Sequence, residues 1–334
     1  MSKPLRLMLF LCRLGLAAIL LGLFAAGDAR AQAYPNRPVT FVVPFAAGGL
    51  SDVPARVLAA EMQERIGQSI VVENKPGASG VTGGSYVVRA DPDGYTLLVN
   101  ALADVQNLHY LSVPYDPLKD FALIGQITDG PPLVLIVNAS LPYRSVADVI
   151  ADARANPTKV SFASSGPATS PAIAITQLNA LAGTRIVDVP YRGTGPAAAA
   201  VVTGELQGAF VFYSNARPLH DDGKVRALAL ASPQRMASWP DIPTMSELGF
   251  AGVDHRGFVG LAAPAKTPGP IVAFLNKHLN DAITSAAFRR RMEPLGMTIP
   301  ADNTPEKFAE FMRRENVRQA ELARLSGHAP LGGR

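Results

Sequence analysis

The chain has 334 residues, of which 48% are hydrophobic and 17% charged, with 31 basic and 27 acidic side chains. No basic run is interleaved with aromatic residues, so the sequence lacks the electrostatic pattern of a nucleic-acid-binding protein. A chain of this length exceeds the size at which a single hydrophobic core usually stops growing, so we expect two lobes.

The N-terminus has the pattern of a cleavable signal peptide. Three basic residues (Lys3, Arg6 and Arg13) precede an unbroken apolar run at 14–26. That run is shorter than the roughly 20 residues needed to span a bilayer, which argues against the alternative of a membrane anchor. Small residues follow up to Ala31, so we predict cleavage after residue 31 and export to the periplasm.

The single cysteine, Cys12, lies within this predicted leader. It precedes the apolar run and lacks the small residues of a lipid-attachment site, so a lipoprotein is disfavoured. Removing residues 1–31 leaves a chain without thiols or disulfides. It also leaves 27 basic and 26 acidic residues, so the high isoelectric point is mostly a property of the leader.

Strand and helix patterns alternate along the first part of the chain, which predicts a parallel sheet flanked by helices. The predicted elements are a strand at 39–43, a helix that Ser51 or Asp52 caps, a strand at 69–73, a helix at 83–89 and a strand at 95–99.

The same alternation returns further along the chain and predicts a second lobe. Its elements are a strand at 133–137, a helix at 145–155 capped by Ser145, a strand at 161–163, a helix at 171–182, a strand at 185–189, a helix at 195–202 and a strand at 206–212. A return crossing at 257–262 and helices at 271–286 and 304–322 complete the chain. We predict that residues 32–134 and 257–334 form lobe 1, and that residues 135–256 form lobe 2.

Two similar loops follow strand ends, one in each predicted lobe, at 44–52 and 164–170. Ligands of open parallel sheets bind beyond the carboxyl ends of strands, where a helix N-terminus offers unpaired N–H groups and a partial positive charge. The pair of loops therefore predicts an anion site, although either loop alone would be better explained as an ordinary tight turn. The groups that could contact an anion are the backbone of Gly48 and Gly49 and the hydroxyls of Ser164, Ser165 and Thr169.

Motifs for chemistry are missing from the sequence. There is no G-x-S-x-G nucleophile elbow, no P-loop and no dinucleotide fingerprint. The five histidines are scattered without the spacing of metal ligands. We therefore predict that the protein is not an enzyme and uses no metal or cofactor.

Nine short segments carry a family resemblance. They are YPNRP at 34–38, PFAAGG at 44–49, VVENKPGA at 71–78, DPDGYTLL at 91–98, PYDP at 114–117, ASSG at 163–166, VPYRG at 189–193, GKVRALA at 223–229 and PDIPT at 240–244. With these segments the chain resembles the substrate-binding proteins of tripartite tricarboxylate transporters, also called the Bug family, over nearly all of the mature chain.

The resemblance implies an α/β fold of the type II periplasmic-binding-protein class. Two lobes, each with a mainly parallel sheet flanked by helices, would be joined by two crossover segments. A small organic acid would bind between the lobes, and a large and a small integral membrane subunit would receive it from a monomeric receptor. The predicted ligand-binding residues are Phe45, Ala46, Ala47, Gly48, Gly49, Leu50, Ser51, Asp52, Ala101, Ala103, Ser164, Ser165, Gly166, Thr169, Val211 and Tyr213.

Two positions depart from the family pattern. Val211 stands where relatives often have Asp, and Ala172 where they often have His. An aspartate there would be the usual partner of a ligand amine or hydroxyl, so its absence favours a less polar or aromatic carboxylate over an amino acid. Two other functions stay open: a periplasmic sensor subunit that acts on a membrane signalling protein, and, with much weaker support, a secreted hydrolase.

Overall fold

The computed structural model of the protein describes residues 34–325, so the predicted signal peptide and Cys12 lie outside the described residues. Within that range the strands are β1 (Val39–Val43), β2 (Ile70–Asn74), β3 (Thr96–Ala101), β4 (Phe121–Asn138), β5 (Ser161–Ser164), β6 (Val187–Pro190), β7 (Gly208–Phe212), β8 (Val225–Ala231) and β9 (Arg256–Pro264).

Helices connect these strands along residues 34–325. They are α1 (Asp52–Ile66), α2 (Val81–Val88), α3 (Leu102–Tyr110), α4 (Val146–Ala155), α5 (Ser170–Ala182), α6 (Thr194–Val202), α7 (Tyr213–Asp221), α8 (Gly269–Ile283), α9 (Ala286–Met292) and α10 (Pro305–Leu325). No helix in the described part of the chain combines the length and the apolar character needed to cross a membrane.

The strands pair in the order β2-β1-β3-β9-β4-β7-β5-β6, with β8 also paired to β4. Pairs with β1 and with β5 are parallel, whereas every pair with β4 or β9 is antiparallel. Strand β4 continues from one group of strands into the other. Its residues up to Pro132 pair with β9, and its residues from Leu133 pair with β7 and β8. We call β2, β1, β3, β9 and the first part of β4 the first sheet half, and the remaining strands the second sheet half.

Each sheet half has its own hydrophobic core. In the first half Val42, Leu98 and Phe258 pack together with residues of α10. In the second half Val134, Val211 and Trp239 belong to a separate cluster. Strand β1, which is parallel to both of its neighbours, is mostly buried and nearly continuously apolar, as is usual for parallel strands covered by helices. Two cores explain how a chain of this length buries its apolar side chains.

The predicted α/β fold is confirmed, and most predicted elements lie within a few residues of their observed bounds. The prediction was incomplete at β4, because only 133–137 was recognised. The earlier part of β4 contains Gly130, Pro131 and Pro132, which interrupt a strand pattern in sequence, and register shifts in the β4–β9 pairing accommodate them.

Four further elements were not predicted: α3, α7, α9 and β8. Helices α3 and α7 begin directly at the end of a strand without a turn residue between, and α7 contains Pro218, which argues against a helix in sequence. Ser145 caps α4 as predicted, because its side chain accepts from the Asp148 N–H at 3.2 Å. Ser51 is the N-cap residue of α1, as predicted, but its side chain makes no cap hydrogen bond. Asp52 is the first helical residue.

Candidate functional site

A cavity of about 450 Å³, counting the part open to solvent, lies between the two sheet halves. Most of the surface that lines it is apolar. The lining residues are Phe45, Gly49, Leu50, Ser51, Ala101, Leu102, Ala103, Gln106, Ser165, Thr169, Ser170, Pro171, Thr194, Phe212 and Gly257.

Five helices begin at the wall of this cavity. Ser51, Ala101, Thr169 and Phe212 are the N-cap residues of α1, α3, α5 and α7, and Thr194 is the first residue of α6. The first N–H groups of a helix have no partner within the helix, and its N-terminus carries about half a positive charge. No charged residue lines the cavity, so the helix termini are the groups on its wall that would attract a negative charge. The arrangement favours an anion.

Direct hydrogen bonds join the two sheet halves around the cavity. The Ala46 N–H donates to the Arg192 carbonyl at 3.0 Å, and the Asn215 side-chain amide donates to the Gly48 carbonyl at 3.2 Å. On another side the Ser79 hydroxyl donates to the carbonyl of Pro167. The cavity is therefore held closed by contacts between the loop at 44–52 and the second sheet half.

Asp52 organises the loop that contains Gly48. Its carboxylate accepts from the Gly48 N–H at 3.0 Å, from the Arg56 guanidinium at 3.0 Å and from the Asn74 amide at 2.8 Å. The Asn74 amide also donates to the Phe45 carbonyl at 2.9 Å. Burial raises the pKa of Asp52, but the hydrogen bonds from Arg56, Gly48 and Asn74 together hold that pKa below its usual range. Asp52 is thus a positioning residue whose charge is already compensated.

The structure brings eight of the predicted ligand-binding residues to the cavity wall. They are Phe45, Gly49, Leu50, Ser51, Ala101, Ala103, Ser165 and Thr169. Gly166 lies beside the cavity, in an outer groove that shares Phe45 and Ser165 with it.

The other predicted positions lie away from the lining. The amides of Ala46 and Gly48 donate to protein acceptors, Ala47 is not part of the wall, and Asp52 lies behind the loop. Ser164 is fully buried and its hydroxyl accepts from the Gly166 N–H at 3.3 Å. The structure therefore assigns these residues to the support of the two loops.

Val211 and Tyr213 were predicted at the ligand, but both lie in the core of the second sheet half. Successive residues of a strand point to opposite faces, so Phe212 reaches the cavity while Val211 points away from it. Tyr213 packs edge-on against Trp239, with ring centroids 5.5 Å apart. Ala172 borders a different surface pocket, so neither departure from the family pattern lies on the cavity wall.

Seven lining residues were missed by the sequence analysis: Leu102, Gln106, Ser170, Pro171, Thr194, Phe212 and Gly257. Most lie in the first turn of a helix, so a correct assignment of the helix start at Leu102 would have found part of the set. Position 257 requires a glycine for steric reasons, because a Cβ there would lie 2.4 Å from Leu50 Cδ2 and 3.0 Å from Phe212 Cε1.

Asp104 lies in the first turn of α3 and holds the N-terminus of that helix at the cavity. It is 3% exposed and accepts from the Ala101 N–H at 2.9 Å. Burial raises the pKa of Asp104 to about 7. The folded state therefore binds a proton that the unfolded chain has already released above pH 4, so stability falls as pH rises from about 4 to about 7. At about 1.4 kcal/mol per pKa unit, the effect is up to about 4 kcal/mol.

We expect Asp104→Asn to remove this dependence, because an amide oxygen still accepts from the Ala101 N–H but cannot ionise. Denaturant unfolding at pH 5 and pH 7.5 measures it. Asp148→Asn is the matched control, since Asp148 accepts from the N-cap amide of Ser145 at 2.9 Å but is exposed. Hydrogen bonds from Arg144 and Ser145 lower the pKa of Asp148, so its contribution is lost only in acid. An unchanged slope in Asp104→Asn would show that Asp104 is ionised when folded.

No three His, Cys, Asp or Glu side chains within residues 34–325 are grouped so that they could hold a metal ion. The most buried histidine of that range, His255, bonds through Nε2 to the Gln177 side chain at 2.7 Å, and burial lowers its pKa to about 3. A neutral, buried histidine bonded to an amide has a packing role.

The chain matches the family described as "Tripartite tricarboxylate transporter family receptor" over residues 54–326. The chain belongs to this family. The protein BugT of Bordetella pertussis is 35% identical to this receptor over 310 residues, which cover 90% of the receptor and 93% of BugT. The resemblance to the Bug family is thereby confirmed.

Two solved structures show the same fold with ligands. MatC from Rhodopseudomonas palustris with bound malate has a TM-score of 0.82 and 33% identity, and covers 87% of the receptor and 100% of MatC. The R. palustris protein Rpa4515 with adipate has a TM-score of 0.83 and 31% identity, over 89% and 100% of the two chains. Both ligands are dicarboxylates.

Proposed function

We propose that the protein is an extracytoplasmic receptor that binds a small organic carboxylate between two lobes and delivers it to a tripartite tricarboxylate-type membrane transporter. In this proposal the lobes are residues 32–134 with 257–334, and residues 135–256. The predicted leader directs export to the periplasm, and a large and a small membrane subunit receive the ligand.

One observation carries the carboxylate assignment: five helices begin at a cavity that no charged side chain lines. A carboxylate fits because it accepts several N–H bonds at once and is stabilised by the positive ends of helices. The malate and adipate complexes of the two relatives support the same ligand class. The wall contains hydroxyls and an amide but no titratable base beside a nucleophile, which supports binding without chemistry.

Closure follows from the contacts already described. A ligand that touches both loops favours the closed state to the extent of its preference for that state. The bonds from Ala46 to Arg192 and from Asn215 to Gly48 are the protein's own contribution to closure. The closed form then presents one composite surface to the membrane subunits.

A thermal-shift screen of the mature protein against mono-, di- and tricarboxylates, amino acids and neutral sugars tests the proposal. A true ligand at one hundred times its Kd adds about 2.7 kcal/mol of stability, which corresponds to a rise of about 4 °C in Tm for a chain of about 300 residues. We expect at least one carboxylate, and no sugar, to give this rise. A protein that responds to sugars alone would contradict the function.

The Ser51→Ala variant locates the response. Ser51 is 3% exposed, lines the cavity and makes no cap hydrogen bond that the variant would lose. We expect Tm without ligand to change little and ligand affinity to fall about tenfold, the value of one hydrogen bond to a charged group. Ser145→Ala is the matched control, because it removes a side-chain cap hydrogen bond away from the cavity. We expect this variant to lower Tm and to leave ligand affinity unchanged. Equal affinities in wild type and Ser51→Ala would exclude Ser51 as a ligand contact.

A further inference from the structure

The two ends of the cavity differ in chemistry, and the difference bears on which carboxylate fits. We infer that the cavity selects a monocarboxylate with an apolar tail over dicarboxylates such as malate or adipate. This inference rests on the proposed function and narrows its ligand class. It separates this receptor from the two relatives whose structures contain dicarboxylates.

The apolar end is formed by Leu50, Phe212 and Gly257. A Cβ on Gly257 would meet Leu50 Cδ2 at 2.4 Å and Phe212 Cζ at 3.2 Å, so the three residues are in close contact. Gly257 belongs to β9 and Phe212 ends β7, so the end is built from both sheet halves. It offers a tail only hydrocarbon and aromatic surface.

Most hydroxyls on the wall already donate their proton to the protein. Thr169 donates to the Gly166 carbonyl at 2.6 Å, and Ser165 donates to Thr169 Oγ1 at 3.0 Å. Thr194 bonds to Asn215 Oδ1 at 3.0 Å. A hydroxyl has a single proton to donate. These three groups are therefore not available as donors to a second carboxylate in the closed cavity.

Gln106 and Ser170 are satisfied by each other. The Gln106 amide nitrogen lies 3.0 Å from Ser170 Oγ and 3.2 Å from Gln319 Oε1, and its oxygen lies 3.2 Å from Ser170 Oγ. Both side chains are buried. The donors left for a ligand are the Ser51 hydroxyl and those amides at the helix starts that do not donate within the protein, as the amides of Asp52, Val53 and Ala101 do. These donors suffice for one carboxylate.

Cationic side chains near the cavity do not face it. Arg56 is bound to Asp52, and Arg192 borders the outer groove. A second carboxylate reaching the apolar end would lose its water without gaining an ion pair, which is the costly case for a buried charge. We therefore expect a dicarboxylate to bind at least 100-fold more weakly than a monocarboxylate of the same length.

Calorimetric titration with matched pairs of acids tests this expectation. The pairs are hexanoate with adipate, butanoate with succinate, and benzoate with terephthalate, and each pair differs only in the second carboxylate. We expect the monocarboxylate with the highest affinity to bind at least 100-fold more tightly than the dicarboxylate of the same pair. A dicarboxylate that binds as tightly as its partner, or more tightly, would overturn the inference.

A variant pair shows whether the apolar end sets the preference. Leu50→Lys places an ammonium group beside Phe212, and we expect it to reduce the preference for hexanoate over adipate at least tenfold. Leu50→Met keeps the end apolar and should retain the wild-type ratio. An unchanged ratio in a folded Leu50→Lys protein would refute the assigned role of this end.

The outcomes for the inference and for the receptor function are distinct. Preference for dicarboxylates in wild type refutes the monocarboxylate inference and leaves a carboxylate receptor. Absence of binding by every acid in the pairs and in the thermal-shift screen refutes the receptor function itself. The wild-type comparison decides the matter even if Leu50→Lys fails to fold.

Discussion

Gly49→Val is expected to abolish ligand binding while leaving the protein folded. Gly49 lines the cavity, and a Cβ there would lie 3.5 Å from the Ala46 carbonyl oxygen and 3.7 Å from Thr194 Oγ1. The first side-chain carbon therefore fits, and the two methyl groups of valine occupy the space between the loop and α6. We expect a loss of at least 100-fold in affinity by calorimetry, with a Tm within a few degrees of wild type.

Gly48→Val is the matched control, because it adds the same atoms one residue away. A Cβ on Gly48 would have no atom within 4 Å, but the backbone φ of +78° is one that a valine rarely adopts. The strain is expected to cost about 1–2 kcal/mol of stability. Affinity should stay within a few-fold of wild type. The reverse pattern, with binding lost only in Gly48→Val, would place the ligand on the other side of the loop.

Asp52→Ala is expected to lower both stability and affinity. The change leaves the Gly48 N–H without its acceptor and removes a partner of Asn74 and of Arg56. The Arg56 side chain is 48% exposed, so water replaces part of its ion pair and the loss is smaller than for a fully buried pair. We expect the free energy of unfolding, measured with denaturant, to fall by about 2–3 kcal/mol, mainly because polar groups lose their hydrogen-bond partner. We expect ligand binding to be at least tenfold weaker.

Asp281→Ala serves as the control for this charge network. Asp281 also pairs with a basic residue four positions away, Lys277, but both side chains are mostly exposed. We expect a change below about 0.5 kcal/mol there. Because the pKa of Asp52 is held low, its contribution is present above about pH 4 and is lost as pH falls through the folded pKa. Equal losses in the two variants would show that the Asp52 network does not support the loop.

Local sequence patterns predicted the elements whose apolar residues are also the buried ones in the structure. Strand β1 is a continuous apolar run followed by a glycine loop, and α4 begins at a serine with Asp148 three residues later. Strand β4 escaped recognition because its length depends on pairing with β9, which lies more than 100 residues away in sequence. A pattern within one segment does not report such a partner.

The site was predictable as a pair of loops but not as a list of contacts. Ser51 and Thr169 were identified because small polar residues before a helix suggest anion binding. Which loop amides are free depends on Asp52 and Arg192, whose partners are set by tertiary structure. Val211 was predicted at the ligand, whereas its neighbour Phe212 lines the cavity. A shift of one residue along a strand reverses the face that a side chain occupies.

Strand β4 runs from one sheet half into the other, and β9 is paired beside it from Phe121 with Pro264 to Pro132 with Arg256, the point at which β4 enters the second half. The connection between the sheet halves is thus a pair of hydrogen-bonded strands and not two flexible linkers. If the halves rotate as the proposed function requires, this pair of strands restricts them to bending about one axis, and the mutual orientation of their outer faces changes along a single angle. A membrane partner could then distinguish the empty protein from the ligand-bound protein by the angle between the two sheet halves.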